Sequence, residues 1–220
     1  MPGAFDGLLS LEAKERDGYR AHNGQQRRAA SANAGWKLAA NLRTRIYLDY
    51  VKNDEELPGV LTRAEWRRDP TQAQAAAAAG HYQWNVESAR VASKTTWDID
   101  ANSSLSFGLS YETQQLYHPI VQSPYFSLLI DTEQRNAGVS LRYSLRRGEH
   151  ELLAGLDYGR TEVEGGNYGN DGGRRTALAT RVDNDARATE AFLMDRWRFA
   201  PRWSVVYGAQ AVSSSREGRN

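Results

Sequence analysis

Apolar residues recur at every second position over most of this chain. Across residues 136–146, Ala137, Val139, Leu141, Tyr143 and Leu145 fall on one face. Asn136, Gly138, Ser140, Arg142, Ser144 and Arg146 fall on the other. Side chains of a strand alternate between two faces, whereas a helix would bring apolar positions back every three or four residues, so the pattern predicts strand. The same alternation places Leu105, Phe107, Leu109 and Tyr111 on one face, and likewise Leu152, Ala154, Leu156 and Tyr158. It recurs through Leu42, Thr44, Ile46, Leu48 and Tyr50, and through Trp203, Val205, Tyr207, Ala209 and Ala211. Weaker versions cover residues 8–14, 28–38 and 88–99. Residues 189–199 are apolar enough for a strand, but Asp195 interrupts the phase.

About nine strands result, most of about 10 residues or more, which is the length of a tilted membrane-crossing strand rather than the five or six of an ordinary sheet. Short turns are predicted at residues 39–41, 100–102, 147–148 and 200–202, and longer connections at 16–25, 53–83, 115–127 and 164–185. Short and long connections alternate, as in an up-and-down barrel with tight turns on one side and large loops on the other. All six prolines (Pro2, Pro58, Pro70, Pro119, Pro124, Pro201) are expected outside strand interiors, where a missing N–H breaks no ladder. Aromatic residues near strand ends on the apolar faces (Trp36, Tyr50, Trp97, Tyr111, Tyr143, Tyr158, Trp203) match interfacial girdles. A soluble barrel would show the same alternation with its faces exchanged; strand length, loop rhythm and aromatics turn the apolar face to lipid. The expected fold is therefore all-β: a segment of an antiparallel, up-and-down transmembrane β-barrel.

Composition narrows the function classes. The 220 residues are 40% hydrophobic and 25% charged, with a mean hydropathy of -0.69, and no run approaches the roughly 20 apolar residues of a spanning helix. Alternating strands dilute the apolar signal, so a membrane barrel is compatible with these values. A net charge of +1 gives no basic excess for nucleic acid, and no nucleic-acid partner is expected. The absence of cysteine removes disulfides, zinc–thiolate sites and thiol nucleophiles. The opening residues MPGAFDGLLS carry no basic stretch ahead of a long apolar one, so no secretory signal is read there.

The loops hold the candidate chemistry. In the connection at 53–83, Thr62 and Glu65 have capping-box spacing, predicting a short helix from near Arg63 that ends before Pro70. The alanine-rich residues 72–80 could form a second helical turn or remain mobile. Arg63, Arg67 and Arg68 beside Trp66 could present guanidinium forks to a carboxylate-rich ligand, or form a solvated face paired with Glu65 and Asp69. The glycine-rich stretch 164–173 lacks the spacing of a phosphate loop or a calcium loop and is expected to be a mobile surface loop. His22, His81, His118 and His150 show no metal-ligand spacing, although His81 and His118 are placed in loops on the same side. No nucleophile–base pairing emerges, so no catalytic residue, metal site or cofactor is expected, and the chain is not read as an enzyme.

Four stretches resemble the barrel of TonB-dependent outer-membrane receptors of the ferric-siderophore type, ferric citrate receptors in particular. They are Arg16-Asp17-Gly18-Tyr19-Arg20 leading to Gln26-Arg27-Arg28-Ala29-Ala30, the residues 57–70, the strand Leu152–Tyr158, and Phe192–Trp203. The resemblance implies a barrel of roughly 22 strands around a plug, in the outer membrane of a Gram-negative cell. It implies uptake of a ferric siderophore or similar iron chelate, powered by TonB acting through the plug. Neither a plug, a TonB box nor the closing strands are recognised in these residues. The expectation is thus an internal segment, residues 1–220, of a receptor barrel in contact with outer-membrane lipid. Arg63, Arg67, Arg68 and Tyr82 are the candidate ligand-binding residues. The alternative is a self-contained small barrel acting as adhesin, structural protein or pore, and a barrel-embedded hydrolase ranks last.

Overall fold

The computed structural model describes residues 4–218. Nine strands form one antiparallel meander in chain order: β1 (Phe5–Arg16), β2 (Gln25–Ala39), β3 (Leu42–Glu56), β4 (Gln83–Asp98), β5 (Ser103–Gln122), β6 (Ser127–Arg147), β7 (His150–Asp171), β8 (Arg174–Ala200) and β9 (Trp203–Gly218). Two short helices, α1 (Arg63–Arg68) and α2 (Ala75–Ala79), lie between β3 and β4. The sheet is open, with β1 and β9 at its two edges. A closed nine-strand barrel is therefore not formed by the described residues.

Cross-strand partners share a face, so the register assigns sides. Tyr143 pairs with Leu105 and Ala154, and Leu141 with Phe107 and Leu156, gathering the apolar positions of neighbouring strands on one surface. That surface is exposed: Leu48, Leu109, Leu141 and Leu156 each show between 38% and 51% of their area. The fully buried apolar side chains among the described residues are only Ala77, Pro119 and Leu129. A sheet with so little interior holds its apolar face out to lipid, since an aqueous surface this apolar would demand a partner.

Two lines of aromatics cross the outward face. Tyr50 pairs with Ala89, which pairs with Thr113, and Tyr111 lies two positions from Thr113 toward the short turns. Tyr111 pairs with Ala137, which pairs with Arg160, and Tyr158 lies two positions from Arg160 in the same direction. A tryptophan line near the short turns steps in parallel. Trp36 is in register with Thr44 and Thr95, and Trp97 lies two positions beyond Thr95. The two lines stay about seven residues apart, or about 23 Å of strand. This is a little under the roughly 25 Å apolar band of such barrels, and the rings supply the remainder.

The strands depart from the pattern expected of the residues at four places. Residues 115–127 are not a long connection: β5 runs to Gln122 and β6 resumes at Ser127. Residues 164–185 are not a long connection, nor 164–173 a surface loop, because β7 and β8 continue to Asp171 and from Arg174, joined by Gly172 (φ 55) and Gly173 (φ 82). Backbone pairing with a neighbouring strand extends these segments past the point where side chains alternate. Pro119 lies inside β5, at a register shift between Pro119 and Val121 that accommodates its missing N–H. Asp195 does not break the phase of β8; it sits in register with Leu152 and Tyr207 on the outward face.

Candidate functional site

The ends of the strands away from the short turns carry the long connection at residues 57–82. Its first helix forms for local reasons. Thr62 caps α1 through its side chain, accepting from the Glu65 N–H at 3.3 Å, while the Glu65 carboxylate accepts from the Thr62 N–H at 2.8 Å. The second, α2, is a single alanine turn closed by Gly80, whose N–H donates to the carbonyl of Ala76. Leu57 N–H donates to the Tyr82 carbonyl at 2.8 Å, so the base of the connection is pinched shut.

Side chains from distant strands then fasten it. Arg20, on the β1–β2 connection, donates to the carbonyls of Gly59, Pro58 and Gln72 at 2.7, 3.1 and 3.0 Å. Three donors held in one plane suit the converging carbonyls of a bent backbone. From the same connection, His22 Nε2 lies 2.9 Å from the Tyr82 carbonyl and Nδ1 lies 3.5 Å from Glu56. On the other side, buried Asn170 donates to the Gly80 carbonyl at 2.9 Å and accepts from Gly173 N–H at 2.9 Å. Gln122 accepts from Gly172 N–H at 2.8 Å, and Tyr117 donates to the Gly173 carbonyl at 2.8 Å. The tip of the β7–β8 hairpin therefore rests against β5 and α2.

The candidate ligand residues occupy this assembly unequally. Arg63 and Arg67 are exposed on α1, with no carboxylate within ion-pair distance among the described residues. Arg68 donates to the Gln72 side chain at 3.1 Å. Tyr82 is half-buried at the loop base; its hydroxyl oxygen accepts from Gln122 N–H at 2.8 Å, leaving the O–H proton free to donate. The structure thus brings the three arginines together on one short helix and sets Tyr82 at the junction with β5. Hydrogen bonds from Thr62 hold the Glu65 carboxyl below the usual glutamate range, and those from the Thr71 hydroxyl and N–H do the same for Asp69. Both stay ionised beside the arginines, so α1 carries a modest positive excess.

Arg20, Asn170 and Gln122 were not among the candidates. Arg20 lies within a stretch already singled out, but its partners lie 38 to 52 residues away. His81 and His118 have separate surroundings. His118 is buried on β5 with its ring 4.8 Å from Trp84, while the ring met by His81 is that of His22, 6.0 Å away. Among the described residues no group of three or more His, Asp or Glu is placed to hold a metal ion.

The inward face below this mouth is a polar trough. Arg142 pairs with Asp157 at 2.6 Å and lies 4.9 Å over the ring of Phe192; Arg43 pairs with Asp98 at 2.5 Å. Arg90 and Lys94 face the same trough without a carboxylate in ion-pair distance among the described residues. Exposed guanidinium groups at the mouth and unpaired cations behind them suit an anionic ligand, because charge-assisted, bidentate donors are matched by carboxylate and similar oxyanions.

Comparison with known proteins gives the same architecture. Residues 11–220 match the family model described as TonB dependent receptor-like, beta-barrel. Among solved structures, the ferric citrate transporter FecA in its unliganded form superposes with a TM-score of 0.84 at 15% identity, over 97% of this chain and 33% of that one. The ferripyoverdine receptor of the outer membrane of Pseudomonas aeruginosa superposes at 0.79 with 12% identity, over 98% of this chain and 34% of its own. The copper transporter OprC gives 0.73 at 11% identity, over 99% and 33%. At these identities the superpositions establish the fold, and the chain spans about a third of the length of each structure.

Proposed function

The chain belongs to the TonB-dependent receptor β-barrel family, and from that membership we propose that it forms one section of the wall of an outer-membrane receptor that takes up a ferric siderophore or similar iron chelate. Its place is the outer membrane of a Gram-negative cell. The observation that carries the proposal is the superposition of almost the whole chain on the ferric citrate transporter, together with a fastened loop assembly at the mouth.

In the proposed mechanism Arg63 and Arg67 meet the anionic chelate first, because their forks are unpaired and exposed. Arg68 and the Tyr82 hydroxyl complete the contact nearer the base. Neutralising the chelate's charge at the mouth offsets its loss of hydration on leaving bulk water. Release inward is assigned to TonB acting through a plug, not to the residues of the wall. The OprC likeness leaves a copper cargo as the competing outcome, and the alternative of a closed small barrel is disfavoured by the open sheet with β1 and β9 at opposite edges.

The test is uptake by iron-starved cells supplied separately with radiolabelled ferric citrate, a ferric hydroxamate or a ferric pyoverdine. Disruption of the gene is expected to abolish uptake of one of these, and a protonophore to stop it. Substituting Arg63→Ser with Arg67→Ser should raise the half-saturating concentration about tenfold or more, given roughly 1.5–3 kcal/mol per charged hydrogen bond. Undiminished uptake of all three chelates after disruption would overturn the reading.

A further inference from the structure

The opposite end of the wall carries a second cluster, on the outward face beside the short turns. His150 opens β7, and its cross-strand partners are Arg147 on β6 and Trp197 on β8. One outward position further from the turn, Asp195 is only 5% exposed. His150 Nδ1 lies 2.7 Å from Asp195 Oδ2, and the Tyr207 hydroxyl donates to the same oxygen at 2.6 Å. A carboxylate accepts only, so Nδ1 carries the proton and Nε2 is the nitrogen left for an outside partner. The imidazole is further held by Trp197, whose ring lies parallel to it with an interplanar angle of 5° and centroids 5.9 Å apart.

The surface around this ring is cationic and aromatic. Arg147 is exposed and, among the described residues, has no carboxylate within ion-pair distance. The nearest acidic side chain of β7 in register, Glu151, faces the trough and is engaged by Arg196 and Arg198. Glu149 lies in the turn itself. Trp203 is 68% exposed on the outward face of β9. Asp195 is the one acid on the outward face here, and it is covered by Tyr207 and His150.

We propose that this cluster is a binding site for the phosphodiester headgroup of an anionic glycerophospholipid in the leaflet that meets the short turns, the periplasmic one. The Arg147 guanidinium and His150 Nε2 converge on the phosphate oxygens, and Asp195 is the positioning residue that fixes the imidazole. A phosphate oxygen accepts from Nε2 only when that nitrogen also carries a proton, with Nδ1–H held on Asp195. The indoles of Trp197 and Trp203 sit at the headgroup level, as amphipathic rings do, and the acyl chains run along Leu145 and Leu152. The charge on the exposed side chains selects an anionic lipid rather than a zwitterionic one. The inference rests on the membrane orientation of the wall and is independent of the chelate taken at the mouth.

The protein, extracted from outer membranes in the form the cell makes it, is reconstituted into phosphatidylcholine bilayers. Quenching of its tryptophan fluorescence by brominated phosphatidylglycerol is then compared with quenching by brominated phosphatidylcholine. An apparent preference of about fivefold for the anionic lipid is expected, the size of one guanidinium at an anionic membrane surface. It should fall to parity in Arg147→Gln with His150→Gln, be reduced in the exposed single variant Arg147→Gln, and persist in Arg147→Lys. Heat-modifiable migration on gels checks that each variant is folded. No preference in the unmodified protein, a preference unchanged in Arg147→Gln with His150→Gln, or its loss on adding soluble glycerophosphate would each overturn the assignment.

Discussion

The side-chain amide of Asn170 donates to the carbonyl of Gly80 at 2.9 Å, joining residues 90 positions apart in the chain. This one bond ties the β7–β8 hairpin to the end of α2, and the same amide oxygen closes the hairpin by accepting from Gly173 N–H. Asn170 is 4% exposed, so a truncated side chain leaves two backbone groups without partners in a region that water reaches poorly.

Asn170→Ala is therefore expected to loosen the outer assembly by about 1–3 kcal/mol per orphaned group while leaving the membrane-spanning part intact. Hydrogen exchange at residues 76–82 and 170–173 should accelerate together, with residues 103–111 unchanged. Acceleration at the hairpin alone would show that the contact to Gly80 does not hold α2.

Arg20→Lys tests the fork that converges on Pro58, Gly59 and Gln72. A lysine ammonium is a point donor and cannot span the three carbonyls in the guanidinium's plane. Proteolysis within residues 57–74 is expected to quicken in Arg20→Lys nearly as much as in Arg20→Ala. Full protection in Arg20→Lys would assign the effect to charge rather than to fork geometry.

The capping box gives α1 a defined pH response. Its hydrogen bonds from Thr62 lower the Glu65 carboxyl, so ionised Glu65 stabilises the helix above the ordinary glutamate value of about 4.3, and that stabilisation is lost as pH falls through the depressed value. Exchange protection of residues 65–68 should fall on acidification below about pH 4 and be flat with pH in Glu65→Gln.

Gly165 adopts φ 135, and a Cβ placed there would lie 2.2 Å from the backbone carbonyl oxygen of Asp131. Because the obstacle is backbone in the neighbouring strand, Gly165→Ala should destabilise the β6–β7 extension by about 3 kcal/mol. Measured as exchange at residues 128–134 and 162–168, an effect below about 0.5 kcal/mol would contradict this backbone geometry.

Facing can be tested by charge. Leu141 lies on the outward face in register with Phe107 and Leu156, between the tyrosine and tryptophan lines, whereas Ala92 lines the inward trough. Leu141→Arg should cost about 2–4 kcal/mol in lipid and Ala92→Arg less than about 1 kcal/mol, read as denaturant midpoints after reconstitution. Equal costs would mean that the two faces do not meet different solvents.

The division between what was legible in the residues and what was not follows the solvent around each strand. Between the two aromatic lines one face meets lipid and the other water, so Leu141 and Arg142 must differ, and the alternation shows strands, faces and membrane. Beyond the tyrosine line both faces are wet. Side chains such as Glu133, Gln134 and Arg135 are then free to be polar on either side, and the pattern vanishes although β6 continues. For that reason residues 115–127 and 164–185 read as loops, while backbone pairing makes most of them strand. The Thr62–Glu65 cap was legible because its partners are three residues apart.

The residue sequence by itself determined the all-β class, the strand positions within the membrane, the outward face and the α1 cap, since each depends on neighbours a few residues away. Only the tertiary structure decided where Arg20, Gln122 and Asn170 act. It alone showed that Asp195 lies in phase beneath Tyr207, and that Arg63 and Arg67 stay free while Tyr82 is bound at the loop base. Those outcomes depend on register between strands tens of residues apart, which no local pattern encodes.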